Sequence, residues 1–166
     1  MVETRQADVQ VVDAQQTTAG IERELMLLGR HHLSPVHSRA PVALDRSAYV
    51  ILNRLEADRA LSAREIATAL TLEISTVTRQ ISAMLRTGLV ERIPDPDGGL
   101  ARKIRPTPAG LASLAADRDV HRCGIAVVLQ TWTPDDRATL LDSLRRLNER
   151  IEELQASPWP RPAQRS

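Results

Sequence analysis

Residues 73–110 read EISTVTRQISAMLRTGLVERIPDPDGGLARKIRPTPAG, and the pattern of this stretch decides the fold. With Ser75 set at zero and about 100° per residue, Val77, Ile81, Met84 and Leu85 fall between about 180° and 280°, while Ser75, Arg79, Ser82 and Arg86 stay within about 40° of zero. One face of a helix from Ser75 to about Arg86 is therefore apolar, and the opposite face carries hydroxyls and guanidinium groups. Gly88 ends that helix. Beyond it, LVERI and ARKIR are short enough to be two strands, joined by PDPDGGL, whose prolines and paired glycines suit a hairpin loop. In TPAG, Thr107 is an N-cap and Pro108 a first helical residue, so a long helix restarts there.

Working backwards, LSAREIATAL holds Ser62 three residues ahead of Glu65, a capping box, so a helix starts there with Ile66 and Leu70 inward. Only TLEI separates it from the next helix, which gives a helix-turn-helix. With the hairpin that follows, the expected fold class is mainly α: a winged helix-turn-helix with a small β-hairpin wing and a helical lobe. In LDRSAYVILNRLEAD, residues Ala48, Ile51, Leu52 and Leu55 share one side of a further helix, and IERELMLLGRHHL places Ile21, Leu25 and Leu28 at helical spacing in a helix ending before Pro35. The last helix opens on Thr133, Pro134, Asp135 and Asp136, acidic residues that complement the positive helix end. Its Leu140, Leu144, Leu147, Ile151 and Leu154 follow the a/d rhythm of a helix that lies along another. That stripe, far along the chain from the winged unit, favours a homodimer.

A charged outer helix face is most often simply solvated. Here the capped helix before it, the short turn and the basic hairpin after it put the hydroxyls and arginines on one surface. Arginine forks match guanine O6 and N7, threonine methyls meet thymine, and a helix N-terminus offers backbone donors to phosphate. The candidate DNA-reading residues are Ser75, Thr76, Thr78, Arg79, Ser82 and Arg86. Arg102 and Lys103 are the candidates on the wing and its base. Between Leu61 and Pro106, Arg64, Arg79, Arg86, Arg92, Arg102, Lys103 and Arg105 outnumber the acidic residues, although the net charge of the whole chain is only +1.

The ordered motifs STVTR, GLVER, PDPDG and TPAG, with the flanking helices, resemble the MarR family of bacterial transcriptional regulators over residues 17–154. The resemblance implies an obligate homodimer, a pseudo-palindromic double-stranded operator, and repression relieved by small, often aromatic or phenolic ligands bound between the lobes. Family wings carry an Asp and an Arg near the tip. Gly98 and Leu100 stand at those positions here, which favours weaker minor-groove reading and leaves a winged-helix protein-interaction module, with weak or no DNA binding, as the rival class.

The domain expectation is a flexible tail over 1–16, a helical dimerisation lobe over 17–38 and 107–154, the winged helix-turn-helix over 45–106, and a flexible tail over 155–166 in which Trp159 docks locally. The dimer interface is assigned to Ile21, Leu25, Leu28, Leu144, Leu147, Ile151 and Leu154. His31, His32 and Tyr49 are candidate ligand-pocket residues. His31 and His32 diverge by about 100° on a helix and so share one metal ion poorly; no metal and no cofactor is expected. The single cysteine, Cys123, excludes an internal disulfide framework and is read as a buried small hydrophobe. No apolar run approaches the roughly 20 residues needed to cross a bilayer, and the N-terminus lacks a leader pattern, so a cytoplasmic, non-membrane protein is expected. No phosphate-cradling loop or nucleophile with its base nominates an enzyme.

Overall fold

The computed structural model describes residues 2–30 and 44–161. His31, His32 and His37 lie outside the described residues. Six helices and one antiparallel hairpin follow in the order α1 (Val2–Arg30), α2 (Arg46–Asp58), α3 (Ala63–Ala69), α4 (Ile74–Arg86), β1 (Val90–Ile93), β2 (Lys103–Pro106), α5 (Pro108–Val128) and α6 (Pro134–Leu154).

Capping chemistry sets most of these starts. Asp45 accepts the Ala48 amide at 2.8 Å and opens α2. Ser62 and Glu65 form the reciprocal capping box of α3, and Thr133 with Asp136 does the same for α6. Thr107 caps α5, with Pro108 in its first turn. Gly88, at φ 72°, takes the left-handed conformation that stops α4, and the Leu89 amide donates back to the Met84 carbonyl at 2.9 Å.

The core lies under the helix-turn-helix. Ile51, Leu52 and Leu55 of α2, Ile66 of α3, Val77 of α4 and Leu114 of α5 are fully buried, joined by Ile81, Met84, Val90 and Ile104. Each such side chain contributes about 1.5–3 kcal/mol on removal from water. β1 pairs with β2 in the register Val90 to Pro106 through Ile93 to Lys103, and Leu61 adds a bridge to Ile104 just ahead of α3. The hairpin is thereby tied to the first helix of the helix-turn-helix as well as to its own partner strand.

Away from this core, residues 15–29 of α1 are exposed or half-buried. α6 has no buried residue. Ile21, Leu25, Met26 and Leu28 of α1 and Leu141, Leu144, Leu147, Ile151 and Leu154 of α6 are all exposed in the single chain.

Three expectations differ from the structure. Val2–Gln16 is helical, continuous with α1, where a loose tail was expected; its residues include no proline and no glycine before Gly20, so nothing in the backbone stops the helix there. Residues 155–161 are not a loose tail either, because Ser157, Pro158 and Trp159 pack against α2 and α3. Cys123 is exposed; α5 turns its neighbour Gly124 inward instead.

Candidate functional site

The outer face of α4 is where the sequence placed it. Val77, Ile81 and Met84 are buried, while Ser75, Thr78, Arg79 and Arg86 are exposed and Thr76 and Ser82 are half-buried. Gln80 donates to the Ser47 hydroxyl at 2.9 Å and ties the helix to the start of α2. The Thr78 hydroxyl donates to the Ile74 carbonyl at 2.7 Å and the Ser82 hydroxyl to the Thr78 carbonyl at 2.8 Å. Their protons are thus used by the helix itself, and what they present outward is acceptor lone pairs and, for Thr78, a methyl group.

The N-terminus of α4 has no side-chain cap, since Glu73 makes no capping hydrogen bond. Its first backbone N–H groups are left for solvent or an anion beside Ser75 and Thr76. Among the described residues no carboxylate pairs with Arg79 or Arg86, so both guanidinium forks are available.

The wing divides its basic residues differently. Lys103 is 9% exposed, and its Nζ meets both Glu65 oxygens at 2.8 Å, with Asp95 at 3.9 Å. The expectation that Lys103 offers its charge outward does not fit this placement, because the second strand turns that side chain onto α3. The Lys103 ammonium, together with the Ser62 amide that donates to Oε2 at 2.6 Å, holds the Glu65 carboxyl down at about 2, well below the usual range. Glu65 therefore joins the α3 cap and the wing in one carboxylate. Arg105 pairs with its cross-strand partner Glu91 at 2.7 Å. Arg92 and Arg102 remain exposed.

At the loop, Asp95 accepts the Asp97 amide at 3.1 Å and its carbonyl accepts the Gly98 amide at 3.0 Å, while Gly98 sits at φ 81°. That turn carries Leu100 to the tip, wholly exposed.

Tyr49 is half-buried where α2 meets α5. Its ring lies 4.8 Å from that of His121, whose Nδ1 is 2.7 Å from the Asp117 carbonyl. Nearby, Arg118 donates to Asn53 and Glu56, each at 2.5 Å. His121 and Arg118 were not singled out in the sequence; their only signal was helical spacing from Leu114, which many residues share.

The comparisons with known proteins agree with this geometry. The MarR family model matches residues 44–98. An uncharacterized HTH-type transcriptional regulator, YxaD, from Bacillus subtilis (strain 168) is 28% identical over 106 residues, covering 64% of this chain and 74% of the relative. A MarR family protein from Bacillus stearothermophilus superposes with a TM-score of 0.63 at 23% identity, over 87% of this chain and 96% of that one. The PcaV transcriptional regulator from Streptomyces coelicolor, solved with its natural ligand, gives 0.58 at 23% identity, over 78% and 91%. The stretch over residues 44–98, which holds α2, α3, α4 and β1, thus matches the MarR family in sequence, and the fold around it is the one found in solved proteins of that family.

Proposed function

We propose that this chain is a homodimeric, sequence-specific DNA-binding transcriptional regulator. α4 reads the major groove of a pseudo-palindromic operator, with Arg79 and Arg86 on base edges or phosphates and Ser75, Thr76, Thr78 and Ser82 beside them. One observation carries the reading: an amphipathic α4 whose buried face is anchored in the core and whose free arginines and uncapped N-terminus share the opposite face. On this assignment 45–106 is the DNA-binding unit and 17–38 with 107–154 the dimerisation lobe, paired through Ile21, Leu25, Leu28, Leu144, Leu147, Ile151 and Leu154. The exposure of those described side chains in the single chain supports it.

Repression is relieved, on the same reading, by a small aromatic or phenolic ligand near Tyr49 and the segment of His31 and His32. The support is the half-buried aromatic pair Tyr49 and His121 beside Arg118, and the fold shared with PcaV, which was solved with a ligand. The test is a fluorescence-anisotropy titration of the chain against the intergenic duplex beside its own gene, at rising salt. Each phosphate neutralised steepens the fall of log K by about 0.9 per log unit of salt. Tight, steeply salt-dependent binding supports the proposal. Its absence favours the protein-interaction module, for which the wholly exposed Leu100 at the wing tip speaks.

A further inference from the structure

Beyond α6 the chain does not trail away. Ala156 takes φ 49°, the Ala156 amide donates to the Glu153 carbonyl at 3.2 Å and the Ser157 amide to the Glu152 carbonyl at 3.0 Å, so the helix ends in a Schellman-type reversal built on a non-glycine residue. That reversal aims the next three residues at the winged unit. The Ser157 hydroxyl donates to the carbonyl of Ala69, the last residue of α3, at 3.1 Å. Arg54 Nη1 donates to the Pro158 carbonyl at 2.9 Å, across 104 residues of sequence, and its guanidinium lies 5.5 Å from the centroid of the Trp159 ring. Asp58 takes Arg54 Nε at 2.5 Å and holds that guanidinium in place. On the other side, Glu152 accepts the Trp159 amide at 3.1 Å and grips Arg161 with both oxygens, at 2.6 and 2.8 Å. The segment is thus fastened at one end to α6 and at the other to α2 and α3.

We propose that Ser157–Trp159 is a positioning strap, which seats on Arg54 and Ala69 and fixes the angle between α6 and the winged unit. The proposal rests on the DNA-binding reading above for its consequence: if α6 pairs with a second copy, the strap sets the separation at which the two α4 helices meet DNA. Half-sites one turn of duplex apart, about 34–36 Å, tolerate little error in that separation. α6 itself offers no comparable anchor, for the helix has no buried residue of its own. Arg54 donates through Nε to Asp58 and through Nη1 to the Pro158 carbonyl while lying over the Trp159 ring, a set of contacts that the planar guanidinium holds together and the point charge of a lysine does not reproduce.

Two measurements test it. In a Cys123→Ser background, spin labels at Arg64→Cys and Glu149→Cys report the distance between α3 and α6 without DNA, with labelled chains diluted into unlabelled ones. A single narrow distribution is expected for the full chain, and a broad one after truncation behind Ala156, Trp159→Ala or Arg54→Lys. Equal widths overturn the strap whatever DNA does. Operators whose half-site spacing is changed by one or two base pairs then read the consequence. The full chain is expected to prefer one spacing, and the truncated chain to lose about tenfold on that operator and to discriminate less among the others, while binding an isolated half-site as before. An unchanged spacing preference overturns the positioning role. A chain that binds no duplex yet shows a narrow, strap-dependent distance sinks the DNA reading instead and leaves the strap standing.

Discussion

Glu65 does two jobs with one carboxylate, closing the cap of α3 on Ser62 and holding Lys103 at the base of the wing. Its folded-state value of about 2 lies below the ordinary 4.5, so the stabilisation is fully present above pH 4.5 and is lost as pH falls towards 2. Because the side chain is 46% exposed, solvent screening reduces the contribution to about 1 kcal/mol. Glu65→Gln should cost about that much at pH 7 in urea denaturation, and the difference from the parent should shrink as the titration is repeated at lower pH. The inward turn of Lys103 was not legible in the sequence, because a four-residue strand carries too little alternation to say which side meets α3. Leu100 was legible as part of the PDPDGGL turn, which the sequence already placed at the tip of the hairpin. Being wholly exposed, it can be exchanged without disturbing the fold, and Leu100→Arg should tighten duplex binding several-fold and steepen the salt slope by about one phosphate contact. An unaltered slope would mean that the wing tip does not reach the DNA.

Among the elements, those with caps and a clear apolar period are legible from residue order alone. Ser62, Thr107 and Thr133 name their helix starts by hydrogen-bond chemistry, and Val77, Ile81 and Met84 repeat on one face. What could not be read was how elements approach one another. Gly110, in the first turn of α5, is an example: a Cβ there would run into the backbone carbonyl of Leu89, the residue whose carbonyl also accepts the Thr107 amide at 3.1 Å. Gly110→Ala should therefore destabilise the chain by about 1–3 kcal/mol, the range for overpacking against a rigid neighbour, measured as a shift in the urea midpoint at unchanged slope. A neutral result would show that the start of α5 can slide away from β1. The strap was hidden for a related reason. A proline-rich SPWP says only that the helix stops, and the Arg54 guanidinium that donates to its Pro158 carbonyl lies 104 residues away.

For the whole molecule, the core under the helix-turn-helix accounts for one unit, and the bare faces of α1 and α6 ask for a partner. Leu144, Leu147 and Ile151 lie on one stripe of a helix with no buried residue, and two copies would cover it. Leu147→Glu with Ile151→Glu should convert a dimer to a monomer in sedimentation velocity and weaken operator binding strongly, while the winged unit keeps its fold; a chain that is monomeric before any substitution would remove the dimer from the account. The claim on which the rest depends is that α4 reads DNA. The most direct test is an anisotropy titration of Arg79→Ala against the parent on the best-bound duplex and on a scrambled one. Arg79→Ala should lose about 1–3 kcal/mol on the specific duplex, roughly five- to 160-fold, with less change on the scrambled duplex, as a base-reading arginine requires. Equal affinities of the two proteins for the specific duplex would contradict it.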